Sequence, residues 1–215
     1  MPVYVQEHEV VPVLTTMHLP KDVLVDVLDR AVGERANVTA SDPSGTAGTE
    51  MRRWVTRFLR DDAELRALGW VPCSHSQVAG IRNDELKIKI AFMNTDARTG
   101  MLTKQPHSVS ERGGVSEQLI NRNYERGTAN LFGDDDEQES DPIADYDFWY
   151  LCAYVSDRHI AAELSRPVGF TASIVDDYSH RVILWQPGEK GGLRRDDPIP
   201  EDFAPISLPD IKRLA

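Results

Sequence analysis

Glu85 and Lys87 stand two residues apart in the stretch NDELKIKIAFMNTD, residues 83–96. Charged and apolar residues alternate through ELKIKIAF, the period-two pattern of a β-strand, which sends both side chains to one face. A carboxylate beside an ammonium group on an open strand suits phosphodiester cleavage. The acid holds Mg²⁺ and the lysine sits near the scissile phosphate or the attacking water. The same pair also fits the wet side of an ordinary amphipathic strand, where opposite charges meet across neighbours. A Mg²⁺ site needs a further acid, and Asp84, Glu50 and Asp96 are the candidates.

Cations that could hold a nucleic-acid backbone form a second group. The segment TEMRRWVTRFLRDDAELRALGW repeats at helical spacing over 49–68, with Thr49 as N-cap and Glu50 in the first turn. Its apolar stripe is Met51, Trp54, Val55, Phe58 and Leu59. Arg53, Arg57 and Arg60 fall on the opposite face, placed either to contact phosphates or to pair with nearby acids. Lys104 and Arg112 come from the Thr/Gly/Ser/Pro-rich loop 94–113, where functional side chains often lie.

These residues need a scaffold. VVPVLTTMHLP reads as a short proline-interrupted edge strand, and KDVLVDVLDRAVGE as a helix ending at Gly33. Residues 71–81 and 86–93 read as two strands joined by the turn RND, and GVSEQLINRNYERG as a helix. DFWYLCAYVS has the apolar density of a central strand. RHIAAELS suits either a helical turn or a strand, and VGFTASIVDDYSHRVILWQ reads as a hairpin about DDYS. His159, His180, Asp176 and Asp177 flank that hairpin without fixed metal-ligand spacing. The order predicts a single α+β domain over 1–215, with a mixed or largely antiparallel sheet flanked by helices. An acidic connector at 133–141 and an irregular tail at 187–215 complete it.

At Glu85-Leu86-Lys87 the chain resembles the PD-(D/E)XK nuclease superfamily. The order helix 49–68, strand, Glu-x-Lys strand, helix near 114–125 and strand 147–156 is similar to that superfamily's core, over about half of the chain. The resemblance implies a Mg²⁺-dependent nuclease with Glu85 on the metal and Lys87 in catalysis, and Glu50 as an accessory helix carboxylate. The strand before Glu85, VPCSHSQVAGIRN, carries no acid to match the superfamily's metal-binding Asp.

Composition sets the alternative. The net charge of −11 opposes broad polyanion binding, but the charge is uneven. Residues 50–126 carry 13 Lys/Arg against 10 Asp/Glu, whereas residues 127–215 carry 8 against 18. A basic middle between acidic ends presents a local positive face. No apolar run reaches membrane length, the first residues lack a signal peptide's basic region, and Cys73 and Cys152 are spaced as buried thiols. The expectation is a cytoplasmic protein with no membrane partner. Three classes stay open: a nuclease of DNA or RNA, a non-catalytic module binding nucleic acid or protein, and an enzyme of other chemistry.

Overall fold

Apolar residues of the central strands divide between two faces, and that division builds the fold. The computed structural model describes residues 1–74, 78–128, 146–156 and 160–186, so the connector 133–141, the tail 187–215 and His159 lie outside the described residues. In chain order the elements are β1 (Val3–Tyr4), α1 (Glu7–Thr16), α2 (Lys21–Arg35), α3 (Thr46–Asp61), α4 (Ala63–Ala67) and β2 (Trp70–Cys73). Then follow β3 (Gly80–Asn83), β4 (Ile88–Asn94), α5 (Gly114–Thr128), β5 (Asp147–Val155), β6 (Ile160–Thr171) and β7 (Ile174–Trp185). The strands form one sheet in the order β1-β7-β6-β5-β4-β3-β2. β1–β7 and β4–β5 pair in parallel and the other neighbours antiparallel, which gives the α+β class with a mixed sheet.

One face carries Ile90, Phe92, Trp149, Leu151, Leu164 and Val182. It packs with Leu24, Val27 and Leu28 of α2 and Met51, Val55 and Leu59 of α3. The other carries Ala91, Met93, Phe148, Tyr150 and Cys152 against Leu119 and Ile120 of α5. Strands covered on both sides read as nearly unbroken apolar runs, as β4 and β5 do. α5 supplies the crossover that a parallel β4–β5 pair requires. Each fully buried side chain of this size contributes about 1.5–3 kcal/mol, so Met51, Val55 and Leu59 set the rotation of α3. α3 packs on α2 and, through Met51, Val55 and Leu59, on the sheet that holds β4 and β5, beside β3 and β4. Among the described residues no helix is long and apolar enough to cross a membrane.

Several boundaries differ from the sequence reading. VVPVLTT, the first seven residues of that stretch, lies in α1, which ends at Thr16: Gln6 and Glu9 cap its start, and Val10 and Leu14, four apart, are buried together despite Pro12. The long helix breaks at Asp62, whose backbone is extended and whose carboxylate accepts the Leu65 N–H at 2.9 Å to start α4. Of RHIAAELS, Ile160–Ser165 lie in β6. The hairpin turns at Ala172–Ser173, both left-handed, as a two-residue turn requires. Asp176 and Asp177 therefore lie inside β7 and not in the turn.

Candidate nucleic-acid interface

Glu85 and Lys87 do not sit on a strand. Asn83 pairs with Ile88 across β3 and β4, so residues 84–87 form the turn between them. The Asn83 Oδ1 accepts the N–H groups of Glu85 and Leu86, each at 3.1 Å. Lys87 adopts a left-handed φ of 55°, and its ammonium group lies 5.2 Å from the centre of the Tyr146 ring. Both side chains are exposed. The alternation in ELKIKIAF starts three residues before strand pairing does, which is why the pattern misplaced them.

The proposed metal acids are separated by the length of β4. Asp84 and Glu85 precede it, whereas Glu50 is near its far end, where Asn94 donates to the Gly48 carbonyl at 2.9 Å. Asp96 follows that same far end. At ~3.3 Å per residue, this strand holds the two groups roughly 20 Å apart. Asp84 accepts the Tyr146 hydroxyl at 2.6 Å and Arg82 Nε at 2.7 Å, which hold its carboxyl below the usual range. Asp96 accepts backbone N–H groups of Arg98 and His107. Among the described residues no group of three or more His, Cys, Asp and Glu side chains is placed to hold a metal ion.

The arginines of α3 divide by role. Arg60 is a clamp: its Nε donates to the Gly80 carbonyl at 3.0 Å, and its Nη2 donates to the Cys73 carbonyl and to Ser74 Oγ. Those bonds remove it from the phosphate-contacting set. Arg53 and Arg57 stay exposed, with their guanidinium carbons 5.2 and 5.1 Å from the Trp54 ring centre. Trp54 stacks on Phe58 at 5.4 Å, and Arg30 of α2 lies 4.1 Å over the Phe58 ring. Both rings are half-buried, because α2 covers that flank of α3 only in part.

Glu50, Asp61 and Asp26 pair with Arg53, Arg57 and Arg30 at 3.4, 3.5 and 3.2 Å. Exposed pairs of this kind contribute about 0–1 kcal/mol, so a phosphate can displace them. Lys104 is exposed, but its carbonyl is fixed by Arg181 Nη1 on the opposite face of the sheet, away from α3. Arg112 is half-buried beside Tyr150. Sequence reading missed Arg30, since only the packing of α2 on α3 brings it to Phe58. The Trp54–Phe58 spacing of four was legible, but as core.

A groove of about 720 Å³ between α1, α2 and α4 has apolar walls including Val11, Leu14, Leu19 and Leu68, and none of these arginines nor Lys104 lines it. No family model, curated protein or solved structure matches the chain.

Proposed function

We propose that this protein is a non-catalytic module that binds single-stranded nucleic acid on the outer face of α2 and α3. One observation carries the reading: a half-buried Trp54–Phe58 stack is bordered by the guanidinium groups of Arg30, Arg53 and Arg57. Aromatic rings and guanidinium planes stack on bases without sequence preference, and the same arginines neutralise flanking phosphates. Most of α3 belongs to the basic middle of the chain, whereas Arg30 on α2 comes from the N-terminal segment before it.

The nuclease reading assigns Glu85, Lys87 and Mg²⁺ to cleavage, and it retains the order of helices and strands. It has no assembled acid set among the described residues, so binding without cleavage ranks above it. Fluorescence anisotropy with labelled single-stranded DNA and RNA at low salt tests the proposal. Loss of one stacked base corresponds to about 1–3 kcal/mol, so Trp54→Ala should weaken binding roughly fivefold to over a hundredfold. Equal binding by wild type and Trp54→Ala overturns it. Mg²⁺-dependent cutting that Lys87→Ala abolishes replaces it with the nuclease. Capture of a protein partner through Trp54, without nucleic-acid binding, assigns the same face to protein.

A further inference from the structure

We propose that the groove between α1, α2 and α4 is a docking site for a segment of this same chain, residues 203–214. Its apolar side chains fill the groove, and Lys212 and Arg213 meet Asp22 and Glu64 at the rim. The site does not use the Trp54 platform and stands or falls independently of it.

One face of α1 builds the groove. Glu7, Val11 and Leu14 follow at spacings of four and three, so they align along a single stripe of the helix. Leu14 and Leu19 are buried in the floor, whereas Val11 is 41% exposed and Val25 and Leu68 are only partly covered. The polar groups beside them are already paired: Thr15 Oγ1 donates to the Val11 carbonyl at 2.8 Å, and the His18 carbonyl accepts Trp70 Nε1 at 2.8 Å. A small-molecule pocket fixes its ligand with converging polar groups. This groove offers apolar surface instead, and apolar side chains are what it selects.

Charge narrows the occupant. Lys21 pairs with Glu7, which leaves Asp22 and Glu64 exposed at the rim and without an ion pair among the described residues. Segment 203–214 carries Phe203, Ile206, Leu208, Ile211 and Leu214, with Lys212 and Arg213 beside the last of them. Residues 187–202 offer only Leu193 and Ile199 as large apolar side chains, and the connector 133–141 would set acid against acid.

Topology brings this segment within reach. β7 runs parallel to β1, with Val182 opposite Tyr4. Beyond Tyr4 the chain enters α1 at Glu7, which lines the groove, and beyond Val182 it runs the same way to Gln186. α1 is in contact with β7, so Gln186 lies near the start of α1. A chain as long as residues 187–202 has a coil span of roughly 20–24 Å. The length of α1 is only ~15 Å, so a segment tethered at Gln186 reaches the whole groove. A tether of this kind gives an effective concentration on the order of millimolar, so weak apolar docking suffices; an untethered partner lacks that advantage.

A photoreactive benzoylphenylalanine placed at Val11 of the full-length chain, with crosslinks mapped by mass spectrometry, tests the docking. The expected crosslink is intramolecular and falls within 203–214. Burying one such side chain shifts the docking equilibrium roughly tenfold to a hundredfold, so Ile211→Asp with Leu214→Asp should cut the crosslink roughly tenfold or more. Asp22→Lys with Glu64→Lys should weaken it several-fold, and Trp54→Ala not at all. Methyl NMR of the full chain gives a second reading: the Ile211→Asp, Leu214→Asp variant should shift the Val11 and Val25 methyls and leave Leu119 of α5 unmoved. Crosslinks to a second copy, to other parts of the chain only, or none at all overturn the proposal, as do unmoved Val11 and Val25 methyls. If the Val11 derivative fails to fold, the NMR comparison decides alone.

Discussion

Arg181 and Glu163 form a two-point fork across β6 and β7 with both side chains 0% exposed: Nε donates to Oε1 at 2.8 Å and Nη2 donates to Oε2. The fork also anchors the loop after β4. Glu163 accepts the Gly100 N–H at 2.8 Å and the Ser165 hydroxyl at 2.6 Å, while Arg181 Nη1 donates to the carbonyls of Met101 and Lys104. Removing one partner leaves a buried charge uncompensated, which costs about 3–5 kcal/mol. Glu163→Ala should therefore lower urea-unfolding stability by that amount and speed amide exchange at Gly100. A loss under about 1 kcal/mol would show that the pair does not hold the loop.

Two glycines should respond oppositely to alanine. A Cβ on Gly80 would lie 1.9 Å from the Ile90 carbonyl oxygen, backbone that cannot move without breaking the β3–β4 pairing. Gly33, late in α2, has nothing within 4 Å of that position. Gly80→Ala should cost about 1–3 kcal/mol or more, while Gly33→Ala should gain about 0.5–1 kcal/mol in denaturant midpoints. Similar midpoints for the two variants would contradict the packing at Gly80.

Periodicity made Val23–Leu28, Met51–Leu59 and the strands at 88–94 and 147–155 legible, because burial on one or both faces leaves a mark in composition. It could not place Glu85. Whether a residue before Ile88 pairs or turns depends on Asn83, whose side chain secures the turn. Glu163 was invisible for a different reason. In RHIAAELS it looks like a solvent-facing charge, and only Arg181, eighteen residues later, makes its burial tolerable. Arg112 was read as a loop cation for nucleic acid, but nothing local announced that its Nε is shielded or that it lies over the Tyr150 ring.

His180 on β7 should make stability fall on acidification. Burial depresses its pKa below the usual histidine value, with the neighbouring Arg166 adding to the shift and Asp147 opposing it. The folded protein thus keeps the ring neutral at a pH where the unfolded chain, near 6.5, already takes a proton. Below about pH 6.5 the unfolded state binds more protons, so stability drops as pH falls and recovers as it rises. In denaturant midpoints between pH 7.5 and about 5, His180→Gln should flatten this slope. An unchanged slope would mean the ring titrates alike in both states.

Glu85 and Lys87, exposed in the turn, should be separable from the fold. Glu85→Ala should alter stability by no more than about 0.5 kcal/mol, as at ordinary surface positions. Lys87 occupies a left-handed conformation that disfavours side chains, so Lys87→Gly should not destabilise, and relief of that strain is worth up to about 1 kcal/mol. Neither change should alter anisotropy-measured binding of single-stranded nucleic acid. A drop of more than about 2 kcal/mol for Glu85→Ala would point to a contact this turn does not show.

Arg57 and Arg60, three residues apart on one helix, should fail in different ways. Arg57 is exposed against Trp54 and holds only a weak pair with Asp61, so its removal should barely touch stability. If it neutralises a phosphate, its loss also removes one released counterion. The slope of log K against log salt should then become shallower by about 0.7 for a single strand. Arg60 donates to the Gly80 and Cys73 carbonyls and joins α3 to the β2–β3 strand ends. Those carbonyls would be left unpaired in Arg60→Ala, a cost of about 1–3 kcal/mol apiece where water cannot replace the donor. Its salt slope, measured below the unfolding temperature, should match the wild type. A reversed pattern, with Arg60 setting the slope and Arg57 the stability, would move the binding face to the other side of α3.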